Sequence, residues 1–151
     1  MSNWSEIGRI VFAIIFLLGA IANIVIVIST PEMYSGFADL SILSVYHSLW
    51  SRIVMPNLQF FIVSIAVFEF LIAILLLTRM LYVRIGMYLG IIFMLFLFPF
   101  WWSGGSIINL VFAFLLLLLA FEDYPRSIPN VLLQGSLSKS KKLDVTQNGR
   151  T

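Results

Sequence analysis

The sequence predicts an all-α integral membrane protein: a four-helix bundle with an extra amphipathic helix at the membrane interface in its first loop. Three observations carry that expectation. Of 151 residues, 61% are hydrophobic and only 11% charged, against about 45–50% apolar and about 25% charged in soluble domains. The apolar residues gather into four runs, the clearest of which, Leu58–Leu77, matches the ~20 residues that cross a hydrocarbon core about 30 Å thick. Within each run the small or polar residues recur at helical spacing, leaving the other faces to Leu, Ile, Val and Phe as lipid requires.

The first run is Ile10–Ile28, after a short segment carrying Glu6 and Arg9. Ala20-Ile21-Ala22 imitates a signal-peptidase site, but a cleavage region turns polar and here Ile24–Ile28 continues apolar, so the helix is read as retained. Ser29–Asn57 is a long connection opened by Thr30-Pro31 and closed by Pro56-Asn57. Inside it, residues 44–54 place Tyr46, Leu49, Trp50, Ile53 and Val54 on one helical face and Ser44, His47, Ser48, Ser51 and Arg52 on the other. That pattern is an interfacial amphipathic helix, either folded over the mouth of the bundle or a surface connector.

The second helix is Leu58–Leu77, ended by Thr78-Arg79. A loop through Tyr82 and Arg84 leads to the third, Ile85–Phe98, which Pro99 breaks or kinks before the interfacial aromatics Phe100-Trp101-Trp102 extend the segment to 102. Ser103-Gly104-Gly105 reads as a tight turn, and the fourth helix as Ser106–Phe121, so the membrane domain covers residues 1–124. Pro125 and Pro129 end it, and the polar tail 125–151 reads as a disordered cytoplasmic segment.

Orientation follows from the basic residues. With both termini in the cytoplasm, the inside set is Arg9, Arg79, Arg84, Arg126, Lys139, Lys141, Lys142 and Arg150, and the outside set is Arg52 alone. The positive-inside rule therefore places the termini in the cytoplasm and the amphipathic loop outside. The net charge of +2 and pI near 9.2 reflect this distribution rather than a nucleic-acid patch.

The small and polar stripes are Gly19 and Asn23 in helix one, Ala66, Glu69 and Ala73 in helix two, Gly86 and Gly90 in helix three, and Ser106, Asn109, Ala113 and Ala120 in helix four. The G-x-x-x-G spacing of helix three is compatible with a face inside the monomer or toward a second copy. Packing the stripes together directs Asn109, Asn23 and Glu69 inward as a ladder of increasing depth from the outside, with His47 and Arg52 as a vestibule above it. Glu69, an acid near mid-membrane, must be neutral, paired or turned into the bundle, because an exposed charge there costs roughly 2.5–3.5 kcal/mol. Three roles stay open: a structural hydrogen bond that fixes register, proton or head-group handling in an outward-facing cavity, and contact with a partner subunit's helix.

The inventory excludes much chemistry. Without cysteine and with one histidine, the chain offers no disulfide, thiol relay, iron–sulfur ligation, self-contained zinc site or bis-histidine haem. It has no phosphate-cradling or dinucleotide glycine motif. Asn3-Trp4-Ser5 matches the glycosylation tripeptide but falls on the cytoplasmic side. An enzyme working alone is hard to build from these residues; no metal site and no cofactor bound by this chain alone are expected.

With the helices placed, the chain resembles the DoxX-like family of small four-helix bacterial membrane proteins over roughly residues 8–121. The resemblance rests on Arg9 opening helix one with Gly19 ten residues on, on Glu69 followed by a leucine-rich half that ends at Arg79, and on Gly86 at the start of helix three. The chain departs from the family at Ala73, where a glycine is usual, and lacks the lysine often found near Ala22 or Asn23. The resemblance implies a bacterial inner-membrane location and a small non-catalytic or quinone-contacting subunit of a redox or envelope-maintenance complex, with a partner membrane subunit or further copies of itself. Two alternatives come from the residues: a small transporter or proton-coupled carrier using Glu69 and Asn23, and a helper protein that binds its partner through the loop helix.

Overall fold

The computed structural model describes residues 3–41, 43–100, 104–125 and 128, side chains at 3, 100, 104 and 105 excepted. These residues are all-helical, with no strand among them: α1 (Asn3–Ser29), α2 (Gly36–Asp39), α3 (Ser44–Leu49), α4 (Leu58–Leu77), α5 (Leu81–Leu97) and α6 (Gly104–Ala120). Short 3-10 turns at Pro31–Ser35, Met55–Asn57 and Phe98–Phe100 and a π turn at Trp50–Val54 join them.

The long helices pack side by side in chain order. α1 lies along α4, α4 along α5, and α5 along α6. α6 meets α1 where a Cβ on Gly8 would stand 3.0 Å from the Leu119 side chain, and where the Phe12 and Phe112 rings meet edge-on at 5.5 Å. Phe16 reaches across to Phe93, ring centroids 6.2 Å apart, and the core around them holds Ile72, Leu76, Met87 and Leu116. A second cluster of Val27, Tyr34, Ala38, Trp50, Val54 and Ile62 covers one end. The small stripe of α5 is spent inside the monomer: Gly86 lies against Leu75 and Leu76 of α4, and Gly90 against Leu116 and Phe16.

The starts of α1, α5 and α6 lie earlier in the chain than the sequence expectation, while α5 and α6 end at Leu97 and Ala120, short of the expected 98–102 and Phe121. α1 starts at Asn3 rather than Ile10, because its first turns are anchored: Ser5 and Arg9 are buried, and Glu6 pairs with Arg9 one turn on. α5 starts at Leu81 rather than Ile85, so no loop runs through Tyr82 and Arg84; the turn from α4 is compressed to residues 78–80. The cost of that compression falls on Met80, whose φ of 52° is a region that favours glycine. Its backbone N–H is held by the Tyr124 carbonyl at 2.7 Å. α6 starts at Gly104, so Gly104 and Gly105 are helical and not a turn. Pro99 ends α5 within a 3-10 turn, and the Ser106 hydroxyl of α6 donates to the Phe98 carbonyl at 2.9 Å. Trp101, Trp102, Ser103 and, Ile128 apart, the tail beyond Pro125 lie outside the described residues, as do the basic residues counted there.

The loop segment is helical over 44–54 as expected, but it is not closed off at Pro56. It continues through the π turn, where the Met55 N–H donates to the Trp50 carbonyl, and through a 3-10 turn that takes Pro56 near its first position, directly into α4. By length and composition two helices, Trp4–Ser29 and Ser44–Leu77, are long and apolar enough to cross a membrane, while Leu81–Leu97 and Ser106–Ala120 are shorter apolar helices. The 17 residues of α5 span about 25 Å at 1.5 Å per residue.

Around this apolar core, large apolar side chains are also exposed, and two charged residues are buried. Outward positions carry Ile28 at 73% exposure, Phe60 at 70%, Ile107 at 68% and Phe121 at 75%, while Arg9 at 0% and Glu69 at 7% lie inside.

Candidate functional site

Glu69 sits halfway along α4, and the helix beside it is shaped to receive its carboxyl group. One turn apart on α1, Gly19 and Asn23 face it. At Gly19 any Cβ would stand 2.7 Å from Oε1 of Glu69, closer than carbon and oxygen tolerate, so the carboxyl group occupies the space a side chain would take. At Asn23 the amide Nδ2 donates to Oε2 of Glu69 at 2.8 Å. The other end of that amide accepts from the Tyr34 hydroxyl, 2.9 Å from Oδ1. Tyr34 is placed by the 3-10 turn after α1, and its own carbonyl accepts the indole N–H of Trp50 at 2.8 Å.

The result is an oriented chain of donors from Trp50 through Tyr34 and Asn23 that terminates on the carboxyl group. With the Asn23 nitrogen turned to the Glu69 carboxyl group, its Oδ1 is left to accept from the tyrosine hydroxyl, which can donate or accept. Burial, and after it the nearby Glu69 carboxylate, pushes the Tyr34 phenol above its usual range, which keeps it a neutral donor.

These groups border a cavity of about 230 Å³ between the helices and the loop segment. Asn23, Tyr34, Glu69 and Asn109 supply its polar atoms; Phe37, Trp50, Phe93, Phe96 and aliphatic residues of α4 and α5 supply its walls. Asn109 enters from α6, half-buried. Among the described residues no lysine or arginine lines the cavity, and no group of histidine, cysteine and carboxylate residues could hold a metal ion. No family model, curated protein or solved structure matches this chain.

Of the residues singled out in the sequence, Asn23, Glu69 and Asn109 border one cavity. His47 and Arg52 do not. Both are exposed, and His47 Nε2 instead lies 3.8 Å from Asp39 Oδ1 at the surface. The reason is the register of the loop helix: it turns Trp50 and Val54 inward, so the polar face half a turn away points out. From the loop segment it is Tyr34, Phe37 and Trp50 that line the cavity. For Trp50 the signal was present, since it lies on the apolar face of that helix. For Tyr34 no local pattern exists, because its partner Asn23 belongs to another element.

A second polar cluster at the opposite end is missed by sequence reasoning altogether. Arg9 is fully buried; its Nη1 donates to the Thr78 carbonyl at 3.1 Å, Nη2 lies 2.5 Å from the Glu6 carboxylate, and the guanidinium stands 5.0 Å from the Tyr124 ring centroid. It thus ties the start of α1 to the end of α4 and to the segment after α6. Tyr124 donates to the Leu119 carbonyl at 2.9 Å, and burial pushes its phenol up to about 12. Arg84 and Asp123 add an exposed pair at 2.7 Å. These contacts between distant segments mark this end as a joint.

Proposed function

We propose that this protein is a multi-pass four-helix bundle of the bacterial cytoplasmic membrane, with both termini cytoplasmic, and that the cavity around Glu69 is a ligand pocket beneath its extracytoplasmic loop. In this reading it is a small binding protein or carrier of the membrane. The observation that carries it is the coincidence of an apolar exterior with a buried carboxyl group that borders empty space. A carboxyl group serving only to fix helix register is enclosed by its partners and needs no cavity; one that meets a ligand or exchanges protons does. The shortness of α5 and α6 is consistent with spanning if flanking residues complete them or the bilayer thins locally.

A second reading, the quinone-contacting subunit implied by the resemblance to DoxX-like proteins, is favoured by the aromatic walls and by the Asn109 amide, which makes no hydrogen bond to a described residue and could donate to a quinone carbonyl.

The chain lacks cysteine, so single introduced cysteines report topology cleanly. Cysteines at Ser35 and Ser48 should react with an impermeant thiol reagent in intact cells, and one at Ser140 should not; the reverse pattern overturns the orientation. The pocket is tested by infrared difference spectroscopy on wild type and Glu69→Gln in lipid. A Glu69 carboxyl band that responds to bulk pH and shifts promptly in deuterated water is expected. A band unchanged with pH and closed to exchange would reduce Glu69 to a structural contact.

A further inference from the structure

The cavity's chemistry narrows the ligand class, an inference that rests on the pocket reading above. Glu69 is 7% exposed, one oxygen abuts the Gly19 backbone, the other takes one amide hydrogen bond, and the cavity offers no lysine or arginine among the described residues. A buried acid so placed is stabilised most by a cation, while an anion would be repelled and a neutral guest would leave the charge uncompensated. The walls provide the complementary element. Tyr34, Phe37 and Trp50 form a corner, the Phe37 and Trp50 rings nearly perpendicular with centroids 5.5 Å apart and the Tyr34 and Phe37 rings at 5.7 Å and tilted. The three rings pack on one another and together line one side of the cavity, and a ring face turned to a cation attracts it by about 0.5–2 kcal/mol, most strongly where water is excluded.

Size sets the remaining limit. An apolar cavity of about 150 Å³ holds benzene, so 230 Å³ has room for one ring or a compact alkyl group. We propose that the cavity binds a small lipophilic organic cation, an alkyl- or arylammonium ion, with Glu69 as its counter-ion and Tyr34, Phe37 and Trp50 as its aromatic cage. Trp50 both supplies a wall and, through its bond to the Tyr34 carbonyl, holds the cage to the donor chain.

The test uses two probes of one shape, phenyltrimethylammonium and its neutral isostere tert-butylbenzene, with duroquinone as a neutral quinone. Each is titrated into the full chain in nanodiscs and read at Trp50 by fluorine NMR of 5-fluorotryptophan protein. Glu69→Gln should weaken the cation at least about tenfold and shift the isostere less than about twofold, a ratio in which partition into lipid cancels; Glu69→Asp should retain cation binding. In the unaltered protein, which decides the matter if Glu69→Gln does not fold, the cation should saturate at about tenfold lower total concentration than either neutral probe. Equal or tighter binding of tert-butylbenzene or duroquinone would overturn the cation assignment and leave the pocket standing. Failure of all three probes to give a saturable shift would overturn the pocket reading and this inference with it.

Discussion

Arg9→Ala is expected to be the most destabilising single substitution outside the central core, at about 3 kcal/mol. The guanidinium is fully buried and serves partners on three elements, the Glu6 carboxylate, the Thr78 carbonyl and the Tyr124 ring. Truncation leaves an acceptor without its donor, a largely buried carboxylate without its counter-charge and a void where the side chain packed, and breaking such a pair typically costs about 3–5 kcal/mol. The lower end applies because Glu6 retains 15% exposure. Arg9→Lys should recover only part of the loss, since an ammonium lacks the planar fork that reaches Thr78 and Glu6 together. The double substitution Arg9→Met with Glu6→Gln should be more stable than Arg9→Ala alone, because it removes the orphaned charge. Denaturant titration in mixed micelles measures all three; an Arg9→Ala protein within about 0.5 kcal/mol of wild type, the range of an ordinary surface change, would show that the joint does not hold the fold.

Gly86→Leu is expected to cost about 3 kcal/mol, for a reason of geometry alone. A Cβ at Gly86 would stand 2.8 Å from the Cβ of Leu75 and 3.2 Å from the backbone nitrogen of Leu76. Neither atom can swing away, so α4 and α5 must separate along their contact, and overpacking of this kind typically costs about 1–3 kcal/mol. The neighbouring glycines grade the effect. At Gly90 the close atoms are the ends of Leu116 and Phe16 side chains, at 3.0 and 3.1 Å, which can turn aside, so Gly90→Ala should be mild. At Gly36 nothing lies within 4 Å, and Gly36→Ala should be neutral. Thermal denaturation in detergent should rank them in that order. A Gly86→Leu protein of unchanged stability that instead loses self-association would mean that this stripe serves a contact between copies.

The same geometric measure separates structure from site. Gly19 is as crowded as Gly86, yet its neighbour is the tip of the Glu69 carboxyl group, which can rotate. A methyl group there would move the acid off Asn23 before it moved a helix. Gly86 is therefore a packing position and Gly19 a positioning one.

The all-helical class, the twenty residues of α4 and the helical character of residues 44–54 follow from the sequence by itself, because hydrophobic periodicity is local and each element carries its own record of it. So does the prominence of Glu69 and Asn23, since a polar group amid apolar residues must find a partner wherever the helix packs. Their direct bond, the cavity beside them and the recruitment of Tyr34 and Trp50 were decided by tertiary structure. Tyrosine and tryptophan suit an interface whether or not their polar atoms are engaged, so only the fold shows which are. Arg9 makes the same point in reverse. As a basic residue before an apolar run it counts as a topology signal, and nothing nearby in the chain foretells that Thr78 and Tyr124 close around it. The extra turns at the starts of α1 and α5 share that origin, because helix ends are set by the partners available to their last unpaired backbone and side-chain groups, and here those partners come from distant segments.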